Sequence, residues 1–318
     1  MKRVIITGPT GAIGMALIRK CIEMGTEVTA VCHRGSARIA RIPVSDRVSV
    51  VECSLDEMKK LPELLEGCYD IFFHFAWACT AGEGRNDTEA QTQNIRYTLD
   101  AVEAAAKLGC ECFIGAGSQA EYGRVEGKLT ADTPAFPENG YGIAKLCAGQ
   151  LSRLRCGQLG IRHIWFRVLS VYGRYDGEQT MIMSSIRKML NGESPEYTPA
   201  EQMWDYLYSE DAAQAFYLAA VKGQDGAVYC LGSGQARPLK EYIEIMRDEI
   251  APGLMLKFGA KPYAEKQVMY LCADIADLQR DVGFVPRIGF REGVRESIQW
   301  AKMAEYKWEK KTDGNDII

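Results

Sequence analysis

The chain has 318 residues, 47% of them hydrophobic and 25% charged, with a formal net charge of −4. That make-up belongs to a globular protein with a sizeable core, and its negative balance argues against a dedicated nucleic-acid binder. No apolar run approaches the ~18–20 residues that cross a bilayer, and the opening "MKRVIIT" is too short a lead for a signal peptide, so a soluble cytoplasmic protein is expected. Eleven cysteines are scattered from Cys21 to Cys272 without a CxxC pair, and there are only three histidines. That distribution argues against a metal site, and a reducing compartment argues against disulfides. Cys110 and Cys112 share one face of a strand-like stretch and read as packing.

In chain order, "RVIIT" (3–7), "EVTAVC" (27–32), "VSVVEC" (48–53), "DIFFHFA" (70–76), "CECFIGAG" (110–117) and "IRHIWFRVL" (161–169) read as strands. Between them lie stretches with helical spacing, such as "AIGMALIRKCIEM" and "NIRYTLDAVEAAAKLG". Continuous apolar strands separated by helices imply a parallel sheet buried on both faces. The fold class is therefore α/β, a doubly wound (Rossmann) sheet. After about residue 170 the rhythm breaks into turn-rich segments, "YGRYDGEQT", "NGESPEYTPAEQ" and "APGLMLKFGAKPYAE". These predict a smaller C-terminal substrate lobe over 171–318, beside a dinucleotide-binding domain over 1–170. Residues 204–232 are expected to return to that domain, "WDYLYSEDAAQAFYLAA" as a helix and "GAVYCLG" as a seventh strand. The tail "EKKTDGNDII" is expected to fray.

The segment "TGPTGAIG" (7–14) directly follows the first strand and opens the first helix. Gly8, Gly11 and Gly14 allow a tight turn and close backbone approach to a pyrophosphate. With Thr10, Ala12 and Ile13 they form a helix N-terminus whose free N–H groups suit an anion. At the end of the second strand, NAD-selective proteins usually place an acid for the adenosine ribose. This chain has Cys32, His33 and Arg34 there instead. A guanidinium can grip a 2′-phosphate in bidentate fashion, so Arg34, helped by His33 or Arg38, favours NADP over NAD.

Further along come "FFHFAW", Asn94, a serine before "EYG", Tyr141-GIA-Lys145 and "FRVLSVYG", then "WDYLYSEDAAQA" and "YCLGSG". In this order the set resembles the extended short-chain dehydrogenase/reductase family of NAD-dependent epimerase/dehydratase type, over nearly the whole chain. The chemistry also follows from the residues. Tyr141 and Lys145 lie four apart and share a helix face. A free tyrosine, with a pKa near ~10, is a poor base at neutral pH, but a lysine ammonium and an oxidised nicotinamide both favour its phenolate. Tyr141 can then exchange a proton with a sugar oxygen while hydride moves, with Ser118 holding that oxygen.

The resemblance implies further roles. Lys145 would also grip the nicotinamide ribose. Phe75, Ala76 and Trp77 would pass beside the cofactor, Val168 would meet the carboxamide through its backbone, and Asn94 would prop the site. A homodimer through helices near 92–108 and 141–158 is expected, as is a nucleoside-diphosphate-sugar substrate. Departures narrow the reaction. The 4,6-dehydratases of this family carry two acids after the serine or threonine, where this chain has Gln119 and Ala120; Glu121 is expected to point elsewhere. Trp204 stands where many epimerases carry an arginine for the diphosphate, so Arg237 or Arg287 would supply that charge. Cys79, His74 and His163 read as packing, and Trp204, Tyr206 and Tyr208 alternate like a strand. A 4-keto-sugar reductase is favoured, with a 4-epimerase as the alternative. A nonenzymatic NADP sensor is disfavoured because Ser118, Tyr141 and Lys145 are all intact.

Overall fold

The structure is a computed structural model and describes residues 1–308; the tail 309–318, expected to fray, lies outside the described residues. The strands are β1 (Arg3–Thr7), β2 (Glu27–Cys32), β3 (Val48–Glu52), β4 (Ile71–His74), β5 (Cys112–Ser118), β6 (Arg162–Val168), β7 (Ser170–Tyr172), β8 (Met203–Trp204), β9 (Tyr206–Tyr208), β10 (Val228–Leu231) and β11 (Arg237–Pro238). The helices are α1 (Ala12–Glu23), α2 (Leu61–Leu64), α3 (Thr88–Lys107), α4 (Gly140–Leu159), α5 (Met181–Leu190), α6 (Ser209–Lys222), α7 (Leu239–Ile250), α8 (Ala276–Val282) and α9 (Phe290–Trp308).

Seven strands form one sheet in the order β10-β6-β5-β4-β1-β2-β3, and every pairing within it is parallel. This is the doubly wound sheet that the apolar runs predict. Alternate residues of the central strands feed two cores. Val4 and Ile6 join α1 and α6 on one face, whereas Ile5, Phe72 and Phe113 join α3 on the other. The strand order reverses between β1 and β4, so the crevice at their carboxyl ends is the place where such sheets take ligands.

Polar caps set where the key helices begin. Asp87 accepts from Ala90 N and starts α3 ahead of its apolar stretch. Asn139 accepts from Gly142 N and starts α4, which ends at Gly160 with a φ of 70°. A third core of Tyr172, Ile182, Ile186, Ile243, Val294 and Ile298 brings together α5, α7 and α9.

The stretch 204–220, expected as one helix, instead begins as β8 and β9, and α6 starts only at Ser209. Asp205 makes the break. It is fully buried, and its carboxylate accepts from Ser233 N and Oγ at 2.7 and 2.6 Å, and from Gly234 N and Ala273 N at 3.0 Å. Those bonds turn the chain between Trp204, which pairs with β11, and Tyr206, which pairs with β7. Of the alternating aromatics only Tyr208 is core; Trp204 and Tyr206 stay half-buried.

Candidate active site

The glycine turn is set by two different demands. Gly8 has a φ of +66°, and a Cβ there would lie 2.8 Å from Ala76 N, because β1 and β4 close on each other at this point. A Cβ on Gly14 would lie 2.4 Å from Gly8 O. Gly11 is different: a Cβ would meet only Gly8 O, at 3.9 Å. Nothing in the protein requires that glycine. It is the N-cap of α1 and has no side-chain cap, so the first N–H groups of the helix, with Ala12 and Ile13, face outward beside a bare Cα. That is a cradle for an anion.

Thr7 ties the ends of β1 and β4 together. Its Oγ1 accepts from Phe75 N and Ala76 N at 3.2 and 3.3 Å and contacts His74 Nδ1 at 3.0 Å. Burial pushes His74 down to about 3, so it is a neutral packing group. Phe75 packs edge-on to Phe216 at 4.8 Å. The loop that follows is held by two buried carboxamides on one face of α3. Asn94 accepts from Ala78 N and donates to Ala78 O, both at 2.9 Å. Gln91 accepts from Trp77 Nε1 and donates to Cys79 O and Gly84 O, all at 2.9 Å. Cys79 is thereby held in the left-handed region, with a φ of 57°.

Ser118 is the last residue of β5 and the ladder partner of Val168. Its Oγ accepts from Ala120 N at 3.1 Å, capping the short turn Gln119–Glu121. α4 starts directly on that turn: a Cβ on Gly142 would lie 2.2 Å from Ala120 O. Tyr141 and Lys145 are thus brought to Ser118. Burial raises the Tyr141 phenol above its ordinary range, against a hydrogen bond with Ser118 and the charge of Arg85. The Arg85 guanidinium sits 4.3 Å from the Tyr141 ring centre. Lys145 is buried, donates to Ala116 O at 2.6 Å and lies 3.7 Å over the Trp77 ring. Burial lowers it to about 7, and Glu121 opposes that fall.

Glu121 points away from the Ser118 hydroxyl, into the protein. It is fully buried and ion-paired with Arg167 at 2.9 Å. His163, another core histidine, is pushed down to about 4 by burial and bonds Ser152 at 2.9 Å.

Other predicted residues lie outside this group. His33 and Arg34 are exposed after β2, and Arg34 Nε and Nη2 donate to Glu57 Oε2 at 3.2 and 3.1 Å. Trp204 donates to Ser170 Oγ at 2.8 Å. Arg237 and Arg287 line one open cleft of about 210 Å³ with Tyr206, Tyr242 and Phe290. Tyr206 is the ladder partner of Ser170, two residues beyond Val168.

Sequence reasoning missed Arg85 and Gln91. Gln91 carried a signal, because it precedes Asn94 by one helical turn and so shares its face. Arg85 carried none. Among the described residues, no cluster of three His, Cys, Asp or Glu is placed to hold a metal, and no helix is long and apolar enough to cross a membrane.

The family model for the NAD dependent epimerase/dehydratase family matches residues 4–232. The chain belongs to that family. It is similar to a dTDP-glucose 4,6-dehydratase of Streptomyces niveus, 23% identical over 96% of this chain and 95% of the relative. It is likewise similar to a dTDP-4-dehydro-6-deoxyglucose reductase of Escherichia coli, 24% identical over 93% of this chain and 96% of that protein. A UDP-glucose 4-epimerase from Thermotoga maritima, solved with UDP-glucose, shares the fold, with a TM-score of 0.84 and 22% identity over 95% of this chain and 99% of that one.

Proposed function

We propose that this family member is a nicotinamide-dependent oxidoreductase acting on the sugar of a nucleoside-diphosphate sugar, as a 4-keto-sugar reductase. The observation that carries the reading is Ser118, Tyr141 and Lys145 assembled at the end of β5, with Gln119 and Ala120 in the two positions after the serine. Gln119 and Ala120 cannot perform the elimination of a dehydratase, and Glu121 is committed to Arg167. Burial holds the proton on Tyr141, which suits giving it to a ketone oxygen. The dinucleotide's pyrophosphate fits the cradle of Gly11, Ala12 and Ile13, shaped by Gly8, Thr10 and Gly14. Phe75, Ala76 and Trp77, which follow β4, would flank the cofactor, the backbone of Val168, the ladder partner of Ser118, would meet its carboxamide, and Lys145 has N–H donors to spare for a ribose. When bound, the nicotinamide supplies the hydride. The substrate side is the lobe within 171–318, where Arg237 and Arg287 offer charge to a diphosphate.

The 4-epimerase is the second reading, favoured by the shared fold with the Thermotoga maritima enzyme. The same three residues would serve it. Supplying a nucleoside-diphosphate 4-keto-6-deoxy sugar with NADPH decides between them. One NADPH consumed per product is expected, and Tyr141→Phe should cut turnover by roughly 10²–10⁴-fold with cofactor affinity unchanged. Interconversion of two hydroxy epimers without net cofactor change would install the epimerase instead.

For the cofactor, His33, Arg34 and the missing acid after β2 support NADP(H) over NAD(H), with Arg38 nearby. Glu57 competes for the guanidinium, whose hydrogen bond lowers its carboxyl. Arg34→Ala should therefore weaken NADP(H) binding by about 1.5–3 kcal/mol, and Glu57→Gln should tighten it. Equal calorimetric affinities for the two cofactors in the wild type would refute the preference.

A homodimer through α3 and α4 is supported by Ile143, Leu151 and Leu154, which are 55%, 38% and 61% exposed along one side of α4. Light scattering should give a dimeric mass that Leu151→Glu with Leu154→Glu reduces to a monomer. A monomeric wild type would contradict this.

A further inference from the structure

We propose that Glu121 is a positioning residue of the Tyr141–Lys145 centre, whose buried carboxylate fixes the Ser118 turn on which α4 starts. The inference rests on the functional reading of Ser118, Tyr141 and Lys145 given above.

The geometry is unusually committed. Glu121 Oε1 accepts from Ser118 N at 2.9 Å and from Trp165 Nε1 at 3.0 Å, while Oε2 accepts from Arg167 Nε at 2.9 Å. Arg167 also donates to Ala131 O at 3.2 Å and lies 4.5 Å from the Tyr122 ring centre. Three glycines clear space for this arrangement. A Cβ on Gly117 would lie 2.1 Å from Glu121 Oε1, one on Gly115 would lie 2.2 Å from the Trp165 ring, and one on Gly149 of α4 would lie 2.7 Å from it. Burying an ion pair gives a fold little net stability compared with apolar side chains of the same volume. The pair's location explains what packing does not. It lies under the turn whose serine caps Ala120 N, which commits a Ser118 lone pair and leaves its hydroxyl proton for Tyr141 or a substrate oxygen.

Charged and titratable groups reach this centre from every side. His74 of β4 is neutral, Arg85 comes from the 82–86 turn, Tyr141 from the same helix as Lys145, and Arg167 from β6. Tyr122 and Cys230 flank the pair, and burial keeps both protonated. Burial raises the Glu121 carboxyl, opposed by the Arg167 charge and by the hydrogen bonds it accepts; as a carboxylate it is the charge that opposes the burial of Lys145. It also disfavours the Tyr141 phenolate. Both effects keep the centre in its proton-loaded form, the form that reduces a ketone.

The test uses Glu121→Gln and the double variant Glu121→Gln/Arg167→Met in the full chain. Glutamine keeps an acceptor for Ser118 N and Trp165, and the double variant avoids leaving a guanidinium buried without its partner. The titration of Lys145 is followed in the protein alone by NMR of its labelled side chain, with the signal assigned by Lys145→Met. The midpoint should fall by about one unit or more, further in the single variant, where Arg167 is uncompensated. The pH profile of kcat should move the same way, with KM little changed. A cooperatively folded double variant whose Lys145 midpoint stays where it was overturns the proposal. Should the midpoint fall while no nucleotide sugar is turned over, the functional reading fails and this one stands.

Discussion

One buried carboxylate, below the end of β5, ties together the elements that carry the candidate chemistry. Glu121 takes hydrogen bonds from the backbone of Ser118 and from two side chains of β6. The indole it holds fits only because β5 and α4 present glycine to it. Closing β5, β6 and α4 around this point brings the first two turns of α4 over the Ser118 turn, and with them Tyr141 and Lys145. A side chain added at Gly117 would meet the carboxylate and the indole at once, so the spacing of the site depends on that one bare Cα.

A second set of polar contacts does similar work on the other side of the crevice. The loop after β4 has no regular structure to satisfy its backbone, and a buried loop without partners would be costly. Gln91 and Asn94 supply those partners from a helix. The result is a fixed Trp77, set between Gln91 and the Lys145 amine. Thr7 completes the arrangement by joining β1 to β4 at the point where Gly8 lets them meet.

The sheet was legible because its central strands are mostly apolar runs, a local pattern that needs no knowledge of partners. The glycine turn and the Tyr141–Lys145 spacing were legible for the same reason. What the sequence hid is long-range or polar. Glu121 meets Trp165 and Arg167 more than forty positions away, and only the charged Arg167 inside an apolar strand hinted that a partner was needed. Glu57 takes hold of Arg34 from a turn after β3, so a guanidinium that reads as free is engaged. The break at Asp205 was hidden because its three partner residues come from two later segments. Aromatic residues followed by alanines there fit a helix as well as a strand end.

The glycines also separate what the fold needs from what a ligand needs. Gly8 and Gly14 are required by backbone contact, whereas a Cβ on Gly11 would meet only Gly8 O, at an ordinary contact distance. That contrast supports a cofactor laid across α1, and the rest of the reading follows from hydride reaching a sugar carbon beside Tyr141. The most direct measurement is isotopic. NADPH carrying deuterium at C4 of the nicotinamide, the transferred position, is incubated with a nucleoside-diphosphate 4-keto-6-deoxy sugar, and the product is read by mass spectrometry and NMR. The account predicts one deuterium at C4 of the sugar, and its loss with Tyr141→Phe. Product formed with no deuterium on the sugar would contradict it.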